Sequence, residues 1–213
     1  MKTKLIFFKY FSITLLFVLA TSSCSQNKND NSKDQWGNAV WTNLDSELIK
    51  FRKPVNLKKS SRYRIKEDLP ILALDSNKLF LFQKTLESLE FQDSEIDVFV
   101  DTTTAYRVLI ICNTSKIDFT KNDASKLKKQ MEIQHAEMEK LNPSLEYGPV
   151  KGKFNQSQNL KLIKFKTELT HVFNQNKIYS SIYYLTGSAY TLVIYEFSDN
   201  TTDIEKYLWT VKT

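Results

Sequence analysis

The sequence predicts an α+β domain, an antiparallel sheet of about six strands with helices packed on it. Three observations lead there. Short runs alternate apolar and polar residues at the period of a strand. One stretch, about Lys121 to Leu141, repeats its apolar residues at helical period. In the closing hairpin both faces are apolar, which requires cover on both sides of a sheet.

Taken in chain order, Tyr63 to Ile65 and Ile71 to Leu74 read as short strands around Pro70, and Leu79, Phe82, Leu86 and Leu89 as the apolar face of a helix from Asp75. Ile96, Val98 and Val100 alternate with Asp97 and Asp101, and Tyr106 to Asn113 makes a second strand. The long helix puts Ala124, Leu127, Met131, Met138 and Leu141 on one stripe. Thr120 and Asp123 have the spacing of a capping box at its start, and Pro143 stops it.

Four strands follow: about Glu146 to Phe154, Leu160 to Lys166, Lys177 to Leu185 and Ala189 to Phe197, with Gly187-Ser188 suited to a two-residue turn between the last two. In that hairpin Tyr179, Tyr183, Leu185, Tyr190, Leu192 and Ile194 share one face, and Ile178, Ile182, Val193, Tyr195 and Phe197 the other. A closing helix, about Thr202 to Val211, would be capped by Thr202 with Glu205 and bury Ile204, Tyr207, Leu208 and Val211.

Ahead of this lies a different kind of sequence. Met1 to Tyr10 carries Lys2, Lys4 and Lys9, Phe11 to Ala20 is an apolar run, and Thr21-Ser22-Ser23-Cys24 follows. Charge, short apolar stretch and small residues make a secretory leader, and the apolar run is too short to span a bilayer. The small residues before Cys24 resemble a lipobox with Thr21 in place of the usual leucine. That resemblance to bacterial lipoprotein precursors implies cleavage before Cys24 and a membrane anchor through lipid on its sulfur and amine. Ser25, rather than aspartate, follows the cysteine, and by the enterobacterial sorting rule this permits passage to the outer membrane, facing the periplasm or the cell surface. The expected organisation is a leader over 1–23, a polar tether over 24–35 and one α+β domain over 36–213.

Removing the leader's three lysines from 30 basic residues leaves 27 against 24 acids, a mature net charge of +3. An exported chain with so small an excess gives no reason to expect nucleic acid. The excess is concentrated. Lys50, Arg52, Lys53, Lys58, Lys59, Arg62, Arg64 and Lys66 fall within 17 residues that contain no acid, so the rest of the mature chain sums to −5. Such a segment near a lipid anchor suits anionic headgroups or an acidic envelope partner; the plainer alternative is an edge strand whose lysines block strand addition.

From Ile96 onward the element order is similar to that of PsbP/MOG1-like domains, and Ile204 to Lys212 resembles their closing helix. This resemblance implies a binding or assembly domain rather than an enzyme.

No chemistry survives a geometric test. His135 follows Glu132 at the E-x-x-H spacing of di-iron bundles, yet only one other histidine, His171, exists to complete a set. Asp97 and Asp101 share one side of a strand about 13 Å apart, too far for one ion. Cys112 lies in a β-branched run and reads as a buried free thiol. Catalytic residues, metal and cofactor are accordingly expected to be none. The reading that follows is a membrane-anchored envelope lipoprotein with a non-catalytic binding domain. An immunity-type lipoprotein that neutralises a toxin, or an envelope hydrolase, are the alternatives.

Overall fold

Residue parity along the strands governs how the layers form. The computed structural model describes residues 39–44, 49–60, 96–101, 107–201 and 204–212. The leader, Cys24, the tether, Trp36, Arg62, Arg64, Lys66 and the elements expected between 61 and 95 lie outside them.

The elements are β1 (Ala39–Asn43), β2 (Lys50–Pro54), β3 (Leu57–Ser60), β4 (Ile96–Asp101), β5 (Arg107–Thr114), α1 (Lys121–Leu141), β6 (Leu145–Tyr147), β7 (Lys151–Gln156), β8 (Lys161–His171), β9 (Lys177–Thr186), β10 (Thr191–Ser198) and α2 (Glu205–Leu208). β1 and β2 form a two-stranded ribbon. The other strands make an eight-stranded antiparallel sheet in the order β3-β4-β5-β10-β9-β8-β6, with β7 also paired to β8. β6 and β7 share the outer edge of β8, opposite Leu169–His171 and Lys161–Lys166 respectively.

The expectation of about six strands layered with helices is therefore corrected: the fold is mostly β. Among the described residues there are two helices, and neither forms a layer. α1 has 21 residues but buries only Met131 fully. It packs through Ala124, Leu127 and Met131 on Phe119, Val150, Ile163 and Phe165, over one part of one face. Leu141, expected on its apolar stripe, is 80% exposed. α2 is a single turn.

The opposite face is closed by the ribbon. Leu44, Ile49 and Phe51 sit with Phe99, Leu109, Ile111, Tyr183, Leu185, Leu192 and Ile194 in the largest cluster, joined by Ile204, Leu208 and Val211. Phe51 meets Phe99 edge-on at 6.0 Å. At roughly 1.5–3 kcal/mol for each fully buried side chain of this size, the ribbon's three outweigh the one from α1. Helix length misleads because exposed helical turns add residues without adding core. Among the described residues no helix is long and apolar enough to cross a membrane.

Several boundaries follow the expectations, and others move for visible reasons. α1 runs over Lys121–Leu141, and Thr120 with Asp123 forms a complete capping box. The two-sided burial of β9 and β10 holds, with Tyr183, Leu185, Leu192 and Ile194 on the ribbon side and Ile178, Val193, Tyr195 and Phe197 on the other. The strand expected from Glu146 to Phe154 divides at Gly148-Pro149-Val150, where Pro149 has no N–H to give a ladder.

The hairpin turn is shifted by one residue. The Gly187 N–H donates to the Tyr190 carbonyl at 3.0 Å, which makes Ser188-Ala189 the central pair. Gly187 serves a different purpose: a Cβ there would lie 2.6–2.8 Å from atoms of the Tyr190 ring. The closing helix keeps its expected buried set but covers only Glu205–Leu208, and Lys212 beyond it pairs with Lys50 of the ribbon.

Candidate functional site

Strand parity sends charged side chains as well as apolar ones to the ribbon side of the sheet. On β10, Glu196 follows Ile194 at the same parity and is 2% exposed. Its neighbours across the ladder are Leu109 and Ser181. One carboxylate oxygen accepts from the Tyr183 hydroxyl at 2.6 Å and from the Ile204 N–H at 3.4 Å. The other lies 3.1 Å from Nε of Arg107, which is also nearly buried. Arg107 in turn donates to Asn200 at 3.4 Å.

A second buried group continues the line. Lys164 places its ammonium 5.7 Å over the Tyr183 ring and 2.6 Å from Glu205. Lys153 lies 3.5 Å from the same carboxylate, and Asn155 donates to it at 3.0 Å. Signs alternate from Arg107 through Glu196 to Lys164 and Glu205, with Tyr183 between the halves. A buried charge must be paired to be tolerated, and each of these is.

Above Glu196 the sheet opens into a cleft of about 330 Å³. Glu196, Ser181 and Ser198 line it together with Lys166, Glu168 and Tyr179 from β8 and β9. Gly148 and Pro149 form one wall, held by the Gly148 N–H on the Glu168 carbonyl (2.7 Å) and the Thr167 hydroxyl on the Gly148 carbonyl (2.8 Å). Asn200 and Thr201 form the other, and Lys166 donates to the Thr201 carbonyl at 3.3 Å. Glu168 is paired with Lys177 at 2.7 Å, which raises the lysine's pKa through hydrogen bond and charge. The cleft thus places hydroxyl, amide and amine groups beside carboxylates that are already paired.

The basic segment is not one surface. Lys53 points inward, is 8% exposed and donates to the Leu57 carbonyl; burial lowers its pKa. Lys59 pairs with Asp97 at 2.8 Å. Lys58 is exposed on the opposite side of β3, the outermost strand there among the described residues. Arg52 stacks over the Trp41 ring at 4.8 Å, and Lys50 is exposed beside it. Lys212, far from this segment in the chain, lies over the same ring at 5.0 Å.

The remaining candidates take structural places. His135 stacks on Tyr147 at 4.3 Å and 16°, while Glu139 accepts from the Tyr147 N–H at 2.7 Å, so this turn of α1 is pinned to β6. Burial lowers the His135 pKa against the raising effect of Glu139 and Glu132. Asp101 accepts from Asn56. Cys112 is buried and free, its thiol pushed up to about 12 by burial and then by Asp97. His171 ends β8 with its ring 5.8 Å from Phe173. Among the described residues no three His, Cys, Asp or Glu side chains converge as metal ligands would.

Arg107, Lys164 and Glu196 were not singled out from sequence, and Glu205, expected as a capping residue, pairs with Lys164 instead. The signal was present for one of them: Glu196 follows Leu192 and Ile194 at inward parity in a largely apolar strand. A scan against protein-family models matches none, and a search of the curated proteins returns no match.

Proposed function

We propose that this chain is a lipoprotein of the bacterial cell envelope, cut before Cys24 and lipidated there, whose β-rich domain binds a partner or ligand without catalysing a reaction. The observation that carries the reading is Cys24 itself, placed directly after a lysine-bearing, apolar leader and before eleven polar residues. Two or more acyl chains on that residue would anchor the protein stably where one would not. The cleft supports binding over acid–base work. Glu196 is committed to Arg107 and Tyr183, and Glu168 to Lys177, so neither carboxylate is poised to exchange a proton with a bound molecule.

The test is metabolic labelling with a palmitate analogue in cells expressing the wild-type chain or Cys24→Ser. The wild type should label and sediment with membranes, and the variant should lose both properties. Equal labelling and sedimentation of the two would remove the anchor from this account.

A further inference from the structure

The geometry points to a docking face for anionic phospholipid headgroups on the outer side of the ribbon, built from Trp41, Lys50, Arg52 and Lys212. This rests on the lipoprotein reading and names what the anchored domain rests against.

Four observations combine. In the ribbon register Trp41 is opposite Arg52 and Asn43 is opposite Lys50, so these four share one side of the ribbon while Phe51 and Lys53 take the other. Lys212 is brought alongside by its antiparallel bridge to Lys50, with backbone bonds of 2.9 Å in each direction. Arg52 and Lys212 lie 4.8 and 5.0 Å from the centre of the Trp41 ring, and Lys50 and Lys212 are exposed. An indole flanked by long cationic side chains is the chemistry of a bilayer interface: the ring sits at headgroup depth while the amines reach the phosphates. Lys53 and Lys59, two of the three cations placed on β2 and β3 beyond this face, are taken up by the Leu57 carbonyl and Asp97.

The position of the chain selects a membrane rather than another anion carrier. Cys24 lies fifteen residues before Ala39, and fifteen residues reach at most about 50 Å. Ala39 opens β1, and Trp41 is two residues on, about 7 Å along the strand. The face is therefore the part of the described domain entered first from the anchor. Asp45 and Glu47, between Asn43 and Lys50 in the sequence, lie outside the described residues and stay unchanged in the test.

The experiment is vesicle flotation of the mature chain, residues 24–213 with Cys24→Ser, on phosphatidylcholine vesicles with or without phosphatidylglycerol. Each exposed cation near an anionic surface is worth about fivefold in partition, so Lys50 and Lys212 together give on the order of 25-fold preference for the anionic vesicles. That preference should collapse in about 0.5 M salt, where screening is short-ranged. Lys50→Gln and Lys212→Gln should each cost about fivefold, while Lys126→Gln, a cation on the exposed side of α1, should cost nothing. Urea midpoints of the variants must match the parent. Equal flotation on both vesicle types, or an equal loss from Lys126→Gln, overturns the docking face. Palmitate labelling of the wild type reads the anchor separately: label without headgroup selectivity defeats docking alone, and selectivity without label defeats the anchor alone.

Discussion

The Arg107–Glu196 pair gives the sharpest test of the polar stripe. Replacing Arg107 with methionine preserves most of the side chain's bulk but leaves Glu196 at 2% exposure without its guanidinium. At 3.1 Å and an effective dielectric constant near 20, the attraction removed is about 5 kcal/mol before any desolvation is returned. Breaking one side of a buried pair costs roughly 3–5 kcal/mol in practice, because the stranded charge remains. For a domain of this size that is a Tm lowered by roughly 6–20 °C. Glu196→Gln keeps an amide oxygen for the Tyr183 hydroxyl, so the double variant Arg107→Met/Glu196→Gln should be less damaged than the sum of the two. A coupling of about 1–3 kcal/mol is expected for groups in one network. Urea unfolding followed by tryptophan fluorescence and far-ultraviolet circular dichroism measures all four proteins. Loss of under about 1 kcal/mol in Arg107→Met, or strict additivity in the double variant, would refute the claim that these charges depend on each other.

Further predictions concern packing and titration. Gly187→Ala should destabilise by about 1–3 kcal/mol in urea, since its methyl must displace the buried Tyr190 ring, whereas Gly148→Ala meets only ordinary contacts at 3.4 Å and beyond and should cost less. Burial lowers the His135 pKa below 6.5, so the unfolded chain binds a proton that the folded one resists; stability should fall as pH drops through 6.5, and His135→Gln should flatten that part of the profile. Proton NMR titration of the His135 ring checks the direction independently, and a midpoint above 6.5 would reverse it. In the Cys24→Ser protein, Cys112 should react with a thiol reagent at pH 8 orders of magnitude more slowly when folded than in urea, because only the thiolate attacks and its pKa is pushed up to about 12.

Local signals in the sequence carried well where one element settles the matter. The Thr120–Asp123 capping box and Pro143 bracket α1 because capping and chain stereochemistry act within a few residues. The alternation in β9 and β10 likewise announced a sheet covered on both sides, as the two clusters bear out. What failed was the weight given to helices. A 21-residue amphipathic stretch looks like a layer, yet one fully buried residue cannot make it one. The ribbon's two strands went unassigned because Phe51 is followed directly by Arg52 and Lys53, and the charge drew attention from the apolar member. Long-range partners were out of reach by nature. His135 gains Tyr147, Trp41 gains Lys212, and Glu196 gains Arg107 only when distant strands fall into register. The same register divides the basic run, since neighbouring residues of a strand face opposite ways.

The chemistry that Cys24 carries in the cell decides whether the domain is lipid-anchored. Intact mass spectrometry of the protein extracted from membranes reads this in one spectrum. A chain beginning at Cys24 and heavier than its sequence by diacylglycerol, with or without a further acyl group, is the predicted result. A chain that still holds its first 23 residues, or one starting at an unmodified cysteine, would contradict it.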